Sequence, residues 1–258
     1  MVKKILSIVL WVITGAALIV LFVFGRRHFL ETPLQGIDFQ LERSHAKGFV
    51  DTDSVMSYVE TVTDIEHKAR ISRIDVMKIR KWIDRNPWVE RSWAYIGLND
   101  TLIIRAQEYE PMLRVFNQEH RSVYLTEEGV VIPSSPIYTP RTIVASGSFR
   151  FPILYQRSDM SDSIYAGSGV AEALAIAKAL RKDEFLAGNI GQIYKNSQNE
   201  YELMVNNLTA RVILGDTCLV DNKLQKLKKL LESYSGTTEL EGYKTLSLKY
   251  KNQIVCTK

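Results

Sequence analysis

The run from Ile5 to Phe24, 20 residues without a charge, constrains the fold of this 258-residue chain more than any other stretch. As an α-helix rising about 1.5 Å per residue it covers roughly 30 Å, the thickness of a bilayer's hydrocarbon core. Lys3 and Lys4 precede it, and Gly25-Arg26-Arg27-His28 follows. A cleaved signal peptide would have a shorter apolar core of about 7–15 residues and a small-residue cleavage site. The run therefore reads as an uncleaved single span over residues 5–24, with a short tail at 1–4 and a connector at 25–33. Both flanks carry two basic residues, so charge leaves the orientation open.

The net charge of +4 does not indicate a nucleic-acid surface. Lys3, Lys4, Arg26 and Arg27 account for it, since 33 basic residues less these four leave 29, matched by 29 acidic ones. The excess is membrane-flanking and the remainder of the chain is neutral overall. Two cysteines, Cys218 and Cys256, are too few for a disulfide framework. Their default reading is as small buried hydrophobes, with pairing in an oxidising compartment left open because sequence does not give the Cα separation.

Beyond the connector, Ile37-Asp38-Phe39-Gln40-Leu41 alternates as a first strand, and Asp51-Thr52-Asp53-Ser54 offers N-caps for a helix through Val55 and Val59. Thr63 to Ile71 has no periodicity and reads as a loop. Asp75 then caps a helix that places Val76, Ile79 and Ile83 on one face. Asn86-Pro87 stops it, because proline disfavours helical geometry in the residue before it. Ser92, Ala94, Ile96 and Leu98 alternate along one strand, Asn99-Asp100 supplies turn chemistry, and Leu102, Ile104 and Ala106 alternate along the next. Residues 34–111 thus read as strand, helix, helix, strand, strand.

From Met112 the pattern changes to short strands separated by turns. Pro133, Pro136, Pro140 and Pro152 mark an irregular connection, with one short strand between Tyr138 and Ser148. Gly167-Ser168-Gly169 precedes a helix containing Val170, Leu174, Ala177 and Leu180. Strands follow at Ile190 to Tyr194, Glu200 to Val205 and Ala210 to Leu214, with Asn206-Asn207 as a hairpin turn. Lys223 to Leu231 is a basic helix whose Leu224, Leu227, Leu230 and Leu231 stripe is expected to cover a sheet rather than lie on a membrane. Tyr243 to Cys256 reads as one long strand or a hairpin. The fold class is α+β: an N-terminal transmembrane helix, a β-α-α-β-β domain, and at 112–258 a β-rich domain of an antiparallel-dominated sheet with two helices.

No constellation for catalysis or cofactor binding emerges. His28, His45, His67 and His120 stand alone, without HExxH or cysteine pairs to complete a metal site. Ser146-Gly147-Ser148 and Gly167-Ser168-Gly169 do not fit G-x-S-x-G and read as turns and caps. Walker and Rossmann glycine patterns are absent. Carboxylate pairs such as Asp51/Asp53 and Glu127/Glu128 sit in cap and turn contexts. The chain is expected to be no enzyme and to use no cofactor.

Several of these segments resemble the FtsQ/DivIB family of bacterial cell-division proteins. Pro87-Trp88-Val89, Leu102-x-Ile104 and Glu108-x-x-Pro111 are similar to that family's POTRA domain, the last with spacing one residue longer. Tyr124-Leu125-Thr126-Glu127-Glu128-Gly129-Val130-Val131-Ile132-Pro133 resembles its strand, acidic turn and strand, with Thr near the usual Asp. Ala210 to Gly215, the Lys223 to Leu231 helix and Leu246-Ser247-Leu248-Lys249-Tyr250 follow in the family's order.

The resemblance implies a POTRA domain at 34–111, an FtsQ-type β-domain at 112–258, a cytoplasmic N-terminus and an extracytoplasmic body at the division septum. It implies that the POTRA domain contacts other division proteins and that the β-domain recruits FtsB/FtsL-like partners. The family adds a partner strand to its C-terminal region, which by matching Leu-x-Tyr implicates Leu248, Lys249, Tyr250, Lys251, Asn252, Gln253 and Ile254 here. An ordinary closing strand explains the same residues. Two other classes stay in view: a POTRA-bearing transport or assembly factor, against which the absence of repeats and of barrel-length strands counts, and a membrane-anchored extracytoplasmic hydrolase, for which no nucleophile, base and metal set is recognisable.

Overall fold

The structure is a computed structural model and describes residues 2–67, 69–206, 208–234, 239–251 and 253–258. Its contacts divide the chain into two units, one of residues 1–42 and 50–108 and the other of 43–49 and 109–258. The architecture is α+β throughout.

In the first unit, helix α1 runs from Val2 to Glu31. Among the described residues it is the one helix long and apolar enough to cross a membrane, over Val9–Glu31. The stretch expected as a connector from Gly25 is therefore helical as far as Glu31. Nothing before Pro33 breaks the helix, and Arg27 Nε pairs with Glu31 Oε1 one turn on, at 3.2 Å. Strand β1 (Gly36–Glu42), helix α2 (Thr52–Thr63), helix α3 (Val76–Asp84) and strands β2 (Val89–Ile96) and β3 (Thr101–Glu108) follow. This is the order the sequence predicts.

Asp75 caps α3 by accepting from the Lys78 N–H at 2.9 Å, and Asp51 caps α2 by accepting from the Asp53 N–H at 3.3 Å. β3 lies between β1, parallel to it, and β2, antiparallel to it. Val55 and Val59 of α2 and Ile79 and Ile83 of α3 are buried against Leu102, Ile104 and Ala106 of β3. Tyr58 and Trp82 stack across the two helices with ring centroids 3.8 Å apart. Glu108 is buried and accepts from the Val50 N–H at 2.9 Å, so the Glu of the family-like motif ties down the chain entering α2.

Two local readings differ here. Leu98 is not a strand residue but sits in the turn, where it is fully exposed. The turn spans Gly97–Asp100: the Gly97 N–H bonds the Thr101 carbonyl at 2.9 Å and Asp100 takes φ +57°. Thr63 to Ile71 contains a 3-10 turn at Ile65–His67, and a second opens at Ile71–Arg73. Lys68 lies outside the described residues.

The second unit is built on a ten-stranded sheet. Its strands are β4 (Leu113–Phe116), β5 (Ser122–Leu125), β6 (Val130–Pro133), β7 (Ile143–Gly147), β8 (Ser158–Asp159), β9 (Ile190–Lys195), β10 (Tyr201–Val205), β11 (Arg211–Gly215), β12 (Thr245–Ser247) and β13 (Val255–Thr257). They lie in the order β13-β12-β11-β10-β9-β7-β4-β5-β6-β8. The β4/β7, β7/β9 and β11/β12 pairs are parallel and the rest antiparallel. Helices α4 (Val170–Arg181) and α6 (Val220–Ser233) supply Leu174, Ile176, Ala177, Leu180, Leu224 and Leu227 to a core with Val115, Ala145, Ile193, Leu203, Val212 and Leu246.

Both long helices were legible, whereas the short α5 (Glu184–Asn189) was not. Asp183 starts it by accepting from the Phe185 and Leu186 N–H groups at 3.1 and 3.2 Å. β10 and β11 form the expected antiparallel pair, although Asn207 of the expected turn lies outside the described residues. Cys218 and Cys256 are both exposed and free, which corrects the expectation that they fill the core.

At residues 245–257 the hairpin alternative holds, with a first strand shorter than expected. The strand expected over Leu246 to Tyr250 stops at Ser247, and the chain loops back to pair as β13, antiparallel to β12. Lys226 of α6 explains the stop. Its ammonium donates to the carbonyls of Leu248, Tyr250 and Gln253 at 3.1, 2.7 and 3.4 Å. One cation thus takes acceptors that a neighbouring strand would otherwise need to satisfy.

Candidate partner-binding site

The β12–β13 hairpin ends the sheet, and its construction decides what a partner can reach. Leu246 and Leu248 are fully buried in the core, which fixes the hairpin's inner side. The Leu248 N–H still bonds the Ile213 carbonyl at 2.9 Å, so β12 and the residue after it are held by β11. Among the described residues β13 pairs with β12 on one side only and is the edge, with Val255, Cys256 and Thr257 all exposed.

The residues singled out from sequence separate into distinct roles. Leu248 is a core residue and Ile254 packs partly against the core. Lys249 forms an ion pair with Glu200, whose carboxylate raises the lysine's pKa by hydrogen bonding and charge. Its stem lies over Gly215, where φ is +77° and a Cβ would come within 2.9 Å of Lys249 Cγ. Tyr250, Lys251 and Gln253 are exposed, and Tyr250 keeps 51 % of its surface free. Asn252 lies outside the described residues. These positions therefore form a loop beside the edge, not the edge strand itself.

Sequence reasoning left a hairpin open over Tyr243 to Cys256 but missed where its first strand ends and the part played by Lys226. Alternation over Leu246, Leu248 and Tyr250 continues past Ser247 and conceals the strand's end. The one available signal was the lysine-rich polar side of α6, where Lys223 and Lys228 also find partners, Asp216 at 2.6 Å and Asp183 at 2.7 Å.

The serines flanked by glycine have structural roles. Ser168 Oγ donates to the Tyr165 carbonyl at 2.6 Å and accepts from the Val170 N–H at 3.2 Å, at the start of α4. Beside it, the buried Lys195 ammonium donates to the Ser168 carbonyl at 2.9 Å and lies 5.5 Å from the Phe149 ring centroid. Burial lowers the pKa of Lys195 and raises that of Tyr201, whose hydroxyl donates to the Gly169 carbonyl at 3.1 Å. Gly147, at φ +109°, lets Ser148 N–H reach the Lys195 carbonyl at 2.8 Å. Among the described residues, no group of three His, Cys, Asp or Glu side chains is placed to hold a metal ion.

The chain thus combines a helix long and apolar enough to cross a membrane, a small α+β unit and a sheet that ends in an exposed hairpin. The family described as FtsQ/DivIB, C-terminal related, matches residues 110–257, more than half of the chain. The chain belongs to the FtsQ/DivIB family and is a cell-division protein. A search of curated proteins returns no match.

Proposed function

We propose that the chain is a bitopic, non-catalytic division scaffold of the bacterial inner membrane. The tail at 1–4 lies in the cytoplasm, residues 5–24 cross the membrane and the body lies outside it, at the septum. Confinement to two dimensions raises the effective concentration of partners in the same membrane. The unit within 34–111 acts as a POTRA domain that contacts other division proteins. The β-rich unit holds FtsB/FtsL-like partners and so links early division proteins to septal peptidoglycan synthesis.

The observation that carries this reading is the unpaired side of β13, with the exposed Tyr250, Lys251 and Gln253 loop beside it. A partner strand can satisfy the edge's free backbone groups, and its side chains can settle against the loop. Cys256 stands on that edge as a natural probe. In a Cys218→Ser background, a thiol-to-thiol cross-linker should join Cys256 to a cysteine placed in an FtsB-like partner's strand. A folded protein that captures the FtsB/FtsL-like pair yet gives no Cys256 cross-link at any partner position would move the site elsewhere. A reporter fused after Lys258 should be active only outside the cytoplasm, and the opposite result would reverse the topology.

A further inference from the structure

The first unit contains a second feature, where α1 meets the 3-10 turn at Ile71–Arg73. Backbone bonds hold the two together: the Ile71 N–H donates to the Thr32 carbonyl at 3.0 Å, the Leu34 N–H to the Ala69 carbonyl at 3.0 Å, and Pro33 bridges Arg70. They form a crevice of about 480 Å³ lined by Phe22, Val23, Leu30, Arg26, Arg70, Ser72 and the ion-paired Arg27 and Glu31. Its lining is divided by chemistry. Phe22 and Val23 are exposed apolar side chains of the membrane-length helix, 70 % and 55 % free, and the guanidinium groups stand at their end.

The charges there are unbalanced. Arg27 pairs with Glu31, but among the described residues no ion pair or hydrogen bond engages the side chains of Arg26 or Arg70, both of which are exposed. Arginine's planar fork suits phosphate oxygens, and basic groups beside an apolar span meet the headgroup layer. The β2–β3 turn supplies an independent observation. The Gln35 N–H donates to the Asp100 carbonyl at 2.8 Å, which sets this turn beside the chain leaving α1. At its tip Leu98 is fully exposed, and Tyr95 on the adjoining strand is 44 % free. A leucine without cover beside a half-exposed tyrosine suits the membrane interface, where aromatic rings sit at headgroup level.

We propose that this crevice binds the headgroup of an anionic phospholipid, with Arg26 and Arg70 on the phosphate and the acyl chains along Phe22 and Val23. The inference rests on α1 being the membrane anchor. It goes beyond partner binding, since it gives the first unit a fixed seat on the bilayer surface. At about 1 kcal/mol per basic residue near an anionic surface, each arginine contributes roughly fivefold, and the two together a preference of about 30-fold.

The test uses the full chain purified in a non-ionic detergent and exposed to equal amounts of dioleoylphosphatidylglycerol and dioleoylphosphatidylcholine. Lipid retained on the protein is counted by native mass spectrometry. Wild type should retain phosphatidylglycerol about 10- to 30-fold over phosphatidylcholine. The double R26Q/R70Q variant should lose that preference with unchanged circular dichroism, and the charge-keeping R26K/R70K variant should keep most of it. Equal retention of both lipids by wild type, or an undiminished preference in a folded glutamine variant, would overturn the proposal. So would displacement of phosphatidylglycerol by millimolar inorganic phosphate, which would mark a site for free anions. Alkaline carbonate extraction of membranes tests the anchor separately: release of the protein refutes the span, while retention without lipid preference refutes only the headgroup site.

Discussion

Replacing Lys226 with Met should loosen the loop after β12 while leaving the rest of the second unit intact. Methionine keeps most of the lysine's apolar stem and removes the ammonium that joins three carbonyls. The bond to Leu248 O is partly buried, while those to Tyr250 O and Gln253 O are exposed. A shielded bond to a charged group is worth about 1.5–3 kcal/mol, and exposed ones a few tenths each. The loss is therefore about 2 kcal/mol, confined to the loop and hairpin, or roughly 30-fold in the local opening equilibrium. Hydrogen exchange followed by mass spectrometry on the full chain should show this acceleration in peptides covering 248–257. Peptides covering α4 should exchange at the wild-type rate. Unchanged protection in 248–257, or an equal loss across the whole unit, would refute the view that Lys226 shapes this loop.

Other substitutions test the remaining supports. Gly147→Ala should cost at least about 2 kcal/mol in denaturant unfolding, because the residue sits at φ +109° and a Cβ would fall 2.2 Å from the Lys195 carbonyl oxygen. Lys195 has a lowered folded pKa, caused chiefly by burial and partly opposed by Glu172, so the unfolded chain holds more protons than the folded one between that value and the ordinary lysine range. Stability should rise with pH through this window, and Lys195→Met should flatten the rise. Asp183 is held below the ordinary carboxylate range by hydrogen bonding to Lys228, against a smaller opposing effect of burial, so its contribution is present above the unfolded pKa and fades as pH falls. Asp183→Asn should flatten the acid limb of a stability–pH curve, and an unaltered limb would assign it to other carboxylates.

Much of the fold was legible because local chemistry decided it. Asp75 caps α3, and Ile79, Ile83, Leu102, Ile104 and Ala106 face one core, as spacing alone predicts. What escaped was decided by groups distant in sequence. Lys226 ends a strand 22 residues away, and nothing in the alternation of Leu246, Leu248 and Tyr250 records that reach. Leu98 continues an alternating pattern yet sits at a turn, because Gly97 and Asp100 close the hairpin one step earlier. The candidate site suffered from the same limit. Its region is proposed from the family resemblance, while the division into core residue, ion-paired residue and exposed loop needed the structure.

That division also predicts where binding energy must come from. β13 spans Val255–Thr257, so an added strand gains only a few backbone hydrogen bonds, each worth about 0.5–1.5 kcal/mol net. Association costs at least about 4 kcal/mol, which such bonds alone barely offset. Side chains beside the edge must supply the remainder, and Tyr250 and Val255 offer exposed apolar surface there, 51 % and 40 % free. Covering half a tyrosine, about 100 Å², is worth roughly 2.5 kcal/mol at about 25 cal/mol per Å². Tyr250→Ala should therefore weaken capture of the FtsB/FtsL-like pair by about 10- to 100-fold, and Tyr250→Glu by more, since the carboxylate must be desolvated. Titration of the folded variants against the purified pair measures this. Wild-type affinity in Tyr250→Ala would mean that the edge binds without the loop, and would remove Tyr250 from the interface.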